Sequence, residues 1–204
     1  MIKLSKLLIA SHNKGKIAEF AKLFDDFKIE VTSLLDYPEI EEVEETGSTF
    51  EENARLKAET IANMLNTMVL ADDSGLSVDT LDGRPGVFSA RYAGEHGNDA
   101  LNNEKLLNDM KGNSHRDAHF TCCLVLAHPK MPSLVVEGQA DGIILEEIKG
   151  TEGFGYDPLF YVESEQKTFA ELTAERKNEI SHRGKAIKKL MAAMPEWLEE
   201  LNSK

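Results

Sequence analysis

The sequence predicts an α/β fold built on a mixed β-sheet. Three observations carry this. Apolar runs of strand length alternate with segments of helical period, one region reads as a long β-hairpin, and no internal repeat, low-complexity tract or proline-rich linker interrupts the chain.

Residues 6–10 (KLLIA) form a short apolar strand, and in residues 14–24 the apolar positions Ile17, Phe20, Ala21 and Phe24 follow helical spacing. Residues 29–34 make a second strand before an acidic loop. Ser48 and Thr49, followed three residues on by Glu51 and Glu52, give two overlapping capping boxes for a helix over residues 50–65. Residues 68–71 read as a strand, Asp72, Asp73, Ser74 and Gly75 as a turn at its carboxyl end, and residues 77–81 as another strand. Gly83, Pro85 and Gly86 mark a loop. Residues 98–110 read as a helix and residues 120–127 with 134–145 as the hairpin. Residues 153–162 (GFGYDPLFYV) form a glycine and aromatic loop entering a strand, and residues 173–180 and 182–194 are two closing helices. Nothing in this series marks a firm domain boundary.

A chain of 204 residues suits one large domain or two small lobes. It is 41% hydrophobic and 29% charged, and no apolar run approaches the roughly 18 residues of a membrane span, so a soluble protein with no membrane partner is expected. The five-residue apolar patch near the N-terminus is shorter than a signal-peptide core of about 7 to 15 residues, which points to the cytoplasm. Cys122 and Cys123, adjacent in an apolar run, supply neither a disulfide framework nor a four-ligand metal site and read as core thiols. With 36 acidic against 23 basic residues the formal charge is −13, which repels polyanions and argues against a nucleic-acid polymer as partner. A small, locally complemented anion remains admissible. The charge is uneven: residues 36–60 hold nine acids and two bases, and residues 176–190 hold six bases and one acid. These segments are either solvated faces or complementary ones.

Five segments carry residue types suited to chemistry. In residues 11–16 (SHNKGK), between a strand and a helix, backbone N–H groups and the side chains of Asn13, Lys14 and Lys16 can receive a phosphate, or they form an ordinary turn with surface lysines. It is not a Walker loop, because it has one glycine and Ile17 stands where Ser or Thr would hold magnesium. On the helix over residues 50–65, Lys57 falls in the stripe of Phe50, Ala54 and Ile61, with Asn53 beside it. A cation there either snorkels or meets a buried anion; if it serves to meet a bound phosphate and is unpaired in the free protein, its replacement by Met should leave stability unchanged or raised while weakening catalysis. Asp72 and Asp73 point in different directions, and one of them should face a ligand; with Glu41, Glu42, Glu44 and Glu45 they offer the hard oxygens magnesium prefers, or else a solvated turn. Glycines flanking Phe154 leave room for a flat ring to stack, and Ser181 can cap a helix whose first residues, His182 and Arg183, present donors. Donors beside an aromatic platform suit a nucleobase, although a buried aromatic is more often core.

Taken in order, SHNKGK from Ser11, EETGSTFEENARLKA from Glu44, ADDSGLSVDTLDGRPGVFSARYAG from Ala71, GFGYDPLF from Gly153 and ELTAERKNEISHRGKA from Glu171 resemble the inosine triphosphate pyrophosphatase family over nearly the whole chain. The resemblance implies hydrolysis of ITP, dITP and XTP to the monophosphate and pyrophosphate, a magnesium requirement, a homodimer, and a long mixed sheet with two lobes around an active-site cleft within one domain over residues 1–204. It implies that Asp73 is the general base and that Glu44 and Asp73 hold the metal. It places Ser11, His12, Asn13, Lys14, Gly15, Lys16, Lys57 and Ser74 around the triphosphate. Phe154, Gly155, Tyr156, Asp157, Lys177, His182 and Arg183 would complete the nucleotide site. Ser11 stands where Thr is more usual in the family, and His12 is unusual there. Hydrolysis at an α-phosphate needs an activated water, charge compensation on the phosphate oxygens and cations for the leaving pyrophosphate, roles which the aspartates, the acidic loop and the lysines suit. A pyrophosphatase of other base specificity, such as the Maf-like enzymes, and a nucleotide sensor without hydrolysis are the alternatives.

Overall fold

The structure, a computed structural model, describes residues 4–203. Within them a seven-stranded sheet has the order β2-β1-β3-β4-β5-β6-β7. Its strands are β1 (Lys6–Ile9), β2 (Glu30–Ser33), β3 (Val69–Val78), β4 (Asp117–His128), β5 (Met131–Ile144), β6 (Phe160–Val162) and β7 (Lys167–Thr168). The flanking helices are α1 (Lys14–Asp25), α2 (Phe50–Leu65), α3 (Asp99–Asp109), α4 (Ala174–Ile180) and α5 (His182–Asn202). β1 runs parallel to β2 and β3, whereas β5, β6 and β7 pair antiparallel, so the sheet is mixed as the sequence predicts. Among the described residues no helix is long and apolar enough to cross a membrane.

The chain divides into two compact units. The first holds the chain up to Asp73, Cys122–Gly138 and the chain from Gly184 on; the second holds Ser74–Thr121 and Gln139–Arg183. In the first unit the period-two alternation of strands decides which side chains meet which helix. Leu7 and Ile9 of β1 and Leu70 of β3 join Phe20 and Phe24 of α1 and Ile187 and Leu190 of α5 in one core. Leu8, Val69 and Ala71 face the other way, against Ala54, Ala58 and Ile61 of α2. The same parity carries on along β3, which sends Asp72 to the α1 side and Asp73 to the α2 side. The second unit has its own core, in which Leu76 and Val78 pack with Leu106 and Met110 of α3, Phe120, Phe160 and Phe169.

Two expectations are corrected. Asp72 to Gly75 is not a turn between two short strands, because β3 runs unbroken through it over ten residues. Its polar side chains find partners, so pairing and burial override the turn preference of Asp, Ser and Gly. Helix α5 does not stop at Met194 but continues through Pro195 to Asn202. Burial of Trp197 and Leu198, with the Trp197 indole N–H donating to the Pro132 carbonyl at 2.9 Å, offsets the ladder bond that proline cannot make. Helix α2, by contrast, begins and ends where expected. The Thr49 hydroxyl accepts the Glu52 N–H, and Asn66 ends the helix in the left-handed region.

Candidate functional site

In the first unit, polar side chains gather around Asp72 and Asp73. Both aspartates are buried, at 2% and 5% exposure. β1 ends at Ile9, level with Leu70, so both lie just beyond the carboxyl end of their parallel neighbour, where the chain turns into α1. In that turn Asn13 caps α1, its Oδ1 accepting the Lys16 N–H at 3.0 Å, and the Ser11 hydroxyl accepts the Asn13 N–H at 3.1 Å. Lys16, on the first turn of α1, reaches the Asp72 carboxylate at 3.2 Å.

Asp73 faces α2. Asn53, fully buried, donates from Nδ2 to Asp73 Oδ2 at 3.1 Å and accepts the Gly47 N–H at Oδ1, 2.7 Å away. Gly47 is required there, because a Cβ would lie 2.6 Å from Asn53 Oδ1 and from Glu52 Cβ. One turn along the same face, Lys57 places Nζ 2.5 Å from Glu45 Oε1. Lys57 thus meets the half-buried Glu45 carboxylate rather than snorkelling, and it is not the unpaired cation that would make its loss harmless. Burial alone would lower its pKa, but Asp72, Asp73 and Glu45 outweigh that and hold it above the ordinary lysine value. Burial has the opposite sign for a carboxylate. It pushes Asp73 up to about 6, against the pull of Lys57, and Glu45 adds to the rise while Lys16 and the Asn53 amide restrain it. A buried carboxylate pushed up to about 6, within the field of two lysines, is equipped to accept a proton at working pH.

Of the acidic loop, Glu45 is the carboxylate drawn into this cluster. Glu44 is exposed, and its side chain makes no hydrogen bond or ion pair among the described residues. The side chains of His12 and Lys14 also make none there, and Lys14 is exposed. Asp72, Asn53 and Glu45 are the members of the cluster that the site implied by the resemblance omits. The signal for Asn53 is its i, i+4 spacing from Lys57 on α2; Glu45 and Glu44 are neighbours in one loop, and only folding separates them.

In the second unit, the loop before β6 carries Phe154, half-buried. Asp157 Oδ2 accepts the Phe154 N–H at 3.1 Å and the Lys177 ammonium at 2.6 Å, and all of Asp157 but 3% is buried. Gly153, at φ +76°, leaves no room for a side chain, since its Cβ would overlap Asp157 Oδ2. The Tyr156 hydroxyl donates to the Ser89 carbonyl at 2.7 Å, and burial pushes its pKa well above the usual phenol. Tyr156 and Asp157 therefore build the loop. Phe154 offers a flat ring face: Lys177 Nζ and Arg183 Cζ stand 5.2 and 5.7 Å from its ring centre. Arg183 also donates to the Ser74 hydroxyl at 3.3 Å, and the His182 ring stacks on Phe120 with centroids 4.7 Å apart and planes 12° from parallel. The predicted residues of this unit, Ser74, Phe154 to Asp157, Lys177, His182 and Arg183, thus share one contact network. It comprises an aromatic face with two cations beside it, the equipment for stacking on and hydrogen-bonding to a flat heterocycle with acceptor oxygens.

The family model described as the Ham1 family matches residues 7–193. The dITP/XTP pyrophosphatase of Listeria monocytogenes serotype 4b (strain F2365) is 54% identical over 203 residues, which is 98% of this chain and 100% of that protein. Among solved structures, the Staphylococcus aureus Ham1 protein is 46% identical, with a TM-score of 0.84 over 94% of this chain and 98% of its own. A HAM1 protein from Coxiella burnetii is 41% identical, with a TM-score of 0.85 over 95% of this chain and 100% of its own. The matched span runs from β1 into α5 and so takes in both clusters, and the resemblance carried by the five ordered motifs is borne out: this chain belongs to the Ham1 family.

Proposed function

We propose that this protein hydrolyses non-standard purine nucleoside triphosphates (ITP, dITP and XTP) to the nucleoside monophosphate and pyrophosphate, removing them from the cytoplasmic nucleotide pool. The observation that carries the reading is Asp73, a buried carboxylate held by the Asn53 amide and pushed up to about 6 against the pull of Lys57 and Lys16, in a chain 54% identical to a dITP/XTP pyrophosphatase. In this reading both units belong to one inosine triphosphate pyrophosphatase-like domain over residues 1–204, and the chain works as a homodimer. Light scattering reads that last point directly: twice the chain mass is expected, and the chain mass alone would remove it.

A magnesium ion fits the donors present. Among the described residues no three His, Cys, Asp or Glu side chains are grouped to hold a metal by themselves. Magnesium does not need such a cage, since it keeps several waters and takes one or two carboxylates together with substrate phosphates. Asp73 and the Glu44–Glu45 pair would hold it, Glu45 being the one already beside Lys57. When bound, the metal supplies Lewis-acid compensation for the phosphate charge that an acidic protein would otherwise repel.

The chain's own residues do the rest. Asp73 takes a proton from the attacking water, and the Asn53 amide on Oδ2 fixes the carboxylate in place. The water oxygen bonds to the α-phosphorus as the α–β bridging bond breaks, and its electron pair leaves with pyrophosphate. Lys16, Lys57 and the start of α1, with Ser11, His12, Asn13, Lys14 and Gly15, stabilise the charge on that leaving group. Ser74 adds a hydroxyl to the same triphosphate. The base stacks on Phe154, and donors of Lys177, His182 and Arg183 meet an acceptor oxygen at the purine 6-position. Adenine carries a donor there and leaves those donors unpaired, a mismatch that can cost about 10⁴ to 10⁵ in selectivity. The panel ITP, XTP, GTP and ATP tests the reading. ITP and XTP should exceed GTP, and GTP should exceed ATP, in kcat/KM; equal cleavage of ITP and ATP refutes it.

A further inference from the structure

Both polar groups of one peptide position in the Phe154 loop are held by a single helix. Asp99, the first residue of α3, accepts the Gly155 N–H at Oδ2, 2.7 Å away, and Asn103, one turn later, donates from Nδ2 to the Gly155 carbonyl at 2.9 Å. The spacing i, i+4 puts the two side chains on one face of α3, so a rigid element grips the loop at two points. Gly155 itself is at φ +63°, and a glycine has little intrinsic preference to hold its neighbours in one place.

Asn103 carries a polar cost. It is 4% exposed, its amide is oriented by a second bond to the Asp99 carbonyl at 2.9 Å, and its Oδ1 is buried without a partner among the described residues. An apolar side chain would avoid burying that acceptor. What the amide contributes is the bond to Gly155. The next residue of the loop leads back to α3 as well, because Tyr156 bonds the Ser89 carbonyl and Asn102 of α3 holds the Ala90 carbonyl and the Ala93 N–H.

We propose that Asp99 and Asn103 are positioning residues for base recognition: by clasping Gly155 they fix the plane of Phe154 relative to Lys177 and Arg183, and with it the discrimination between purines. This rests on the reading that the Phe154 loop receives the base. Loosening the clasp lets the platform tilt, so an oxygen at the 6-position no longer meets its donors, while the groups around Asp73 are untouched.

The test is Asp99→Ala, a change at an exposed residue, measured on ITP and ATP beside the parent and Asp99→Asn, which keeps an acceptor oxygen for the Gly155 N–H. Asp99→Ala should raise KM for ITP and compress the ITP to ATP ratio of kcat/KM by about tenfold or more, with kcat on ITP changed less than about threefold. Asp99→Asn should recover most of the ratio, and Asn103→Leu, which removes the donor to the Gly155 carbonyl, should reproduce the loss of the ratio. If Asn103→Leu fails to fold, Asp99→Ala decides alone. A parental ratio in Asp99→Ala overturns the clasp, as does an equal fall of kcat on every substrate. A parent protein without preference for ITP overturns the underlying reading of the base site instead, so the two failures are distinct.

Discussion

At the scale of the residue, Asp73 is a carboxylate under opposed influences, and its titration has a measurable sign. Burial, with Glu45, pushes it up to about 6 against Lys57, Lys16 and Asn53, whereas an ordinary Asp titrates at 3.8. The folded state therefore binds this proton more tightly than the unfolded chain. The contribution to stability is complete below pH 3.8 and is lost as pH rises through 6. About two pKa units correspond to at most about 3 kcal/mol. Without metal, Asp73→Asn should be more stable than the parent above pH 7 by up to that amount and lose the advantage near pH 4. Its turnover should fall about 10²-fold or more. Lys57→Met, in the same denaturation series, should be less stable than the parent at neutral pH. It strips a cation from Glu45 and from the field of Asp72 and Asp73, and the deficit should shrink in acid as those carboxylates protonate. An Asp73→Asn protein with parental turnover, or with no gain in stability at neutral pH, contradicts the assignment.

At the scale of the element, α1 and α2 were legible because their signals are local: apolar period and Thr49 as cap. The passage Asp72 to Gly75 was not. Its composition is that of a turn, and partners distant in sequence, among them Lys16 and Asn53 at 56 and 20 residues, let two adjacent carboxylates lie buried in mid-strand. The end of α5 was hidden for a related reason. Pro195 is a local stop signal, and the burial of Trp197 and Leu198 that overrides it comes from distant strands. β7, two residues long, exists through its pairing with β6 rather than through any pattern of its own.

At the scale of the whole molecule, the predicted site falls into two chemically distinct clusters, one of carboxylates and lysines and one of aromatic rings and cations, each within its own unit. The motifs were readable as strings, and so were the residue types each reaction role requires. Which of Glu44 and Glu45 joins Asp73, and which helix holds Gly155, were not readable, since both depend on faces and loop paths that no short string encodes. The formal charge of −13 makes the central claim demanding, because a triphosphate must be accepted, cut at one bond and released by an acidic protein. The most direct measurement is incubation with ITP and magnesium in ¹⁸O-labelled water, followed by mass analysis of the products. IMP carrying the label beside unlabelled pyrophosphate is the predicted result, because in the proposed mechanism water attacks the α-phosphorus. IDP with inorganic phosphate, label in the pyrophosphate, or ITP bound and left intact would each contradict it.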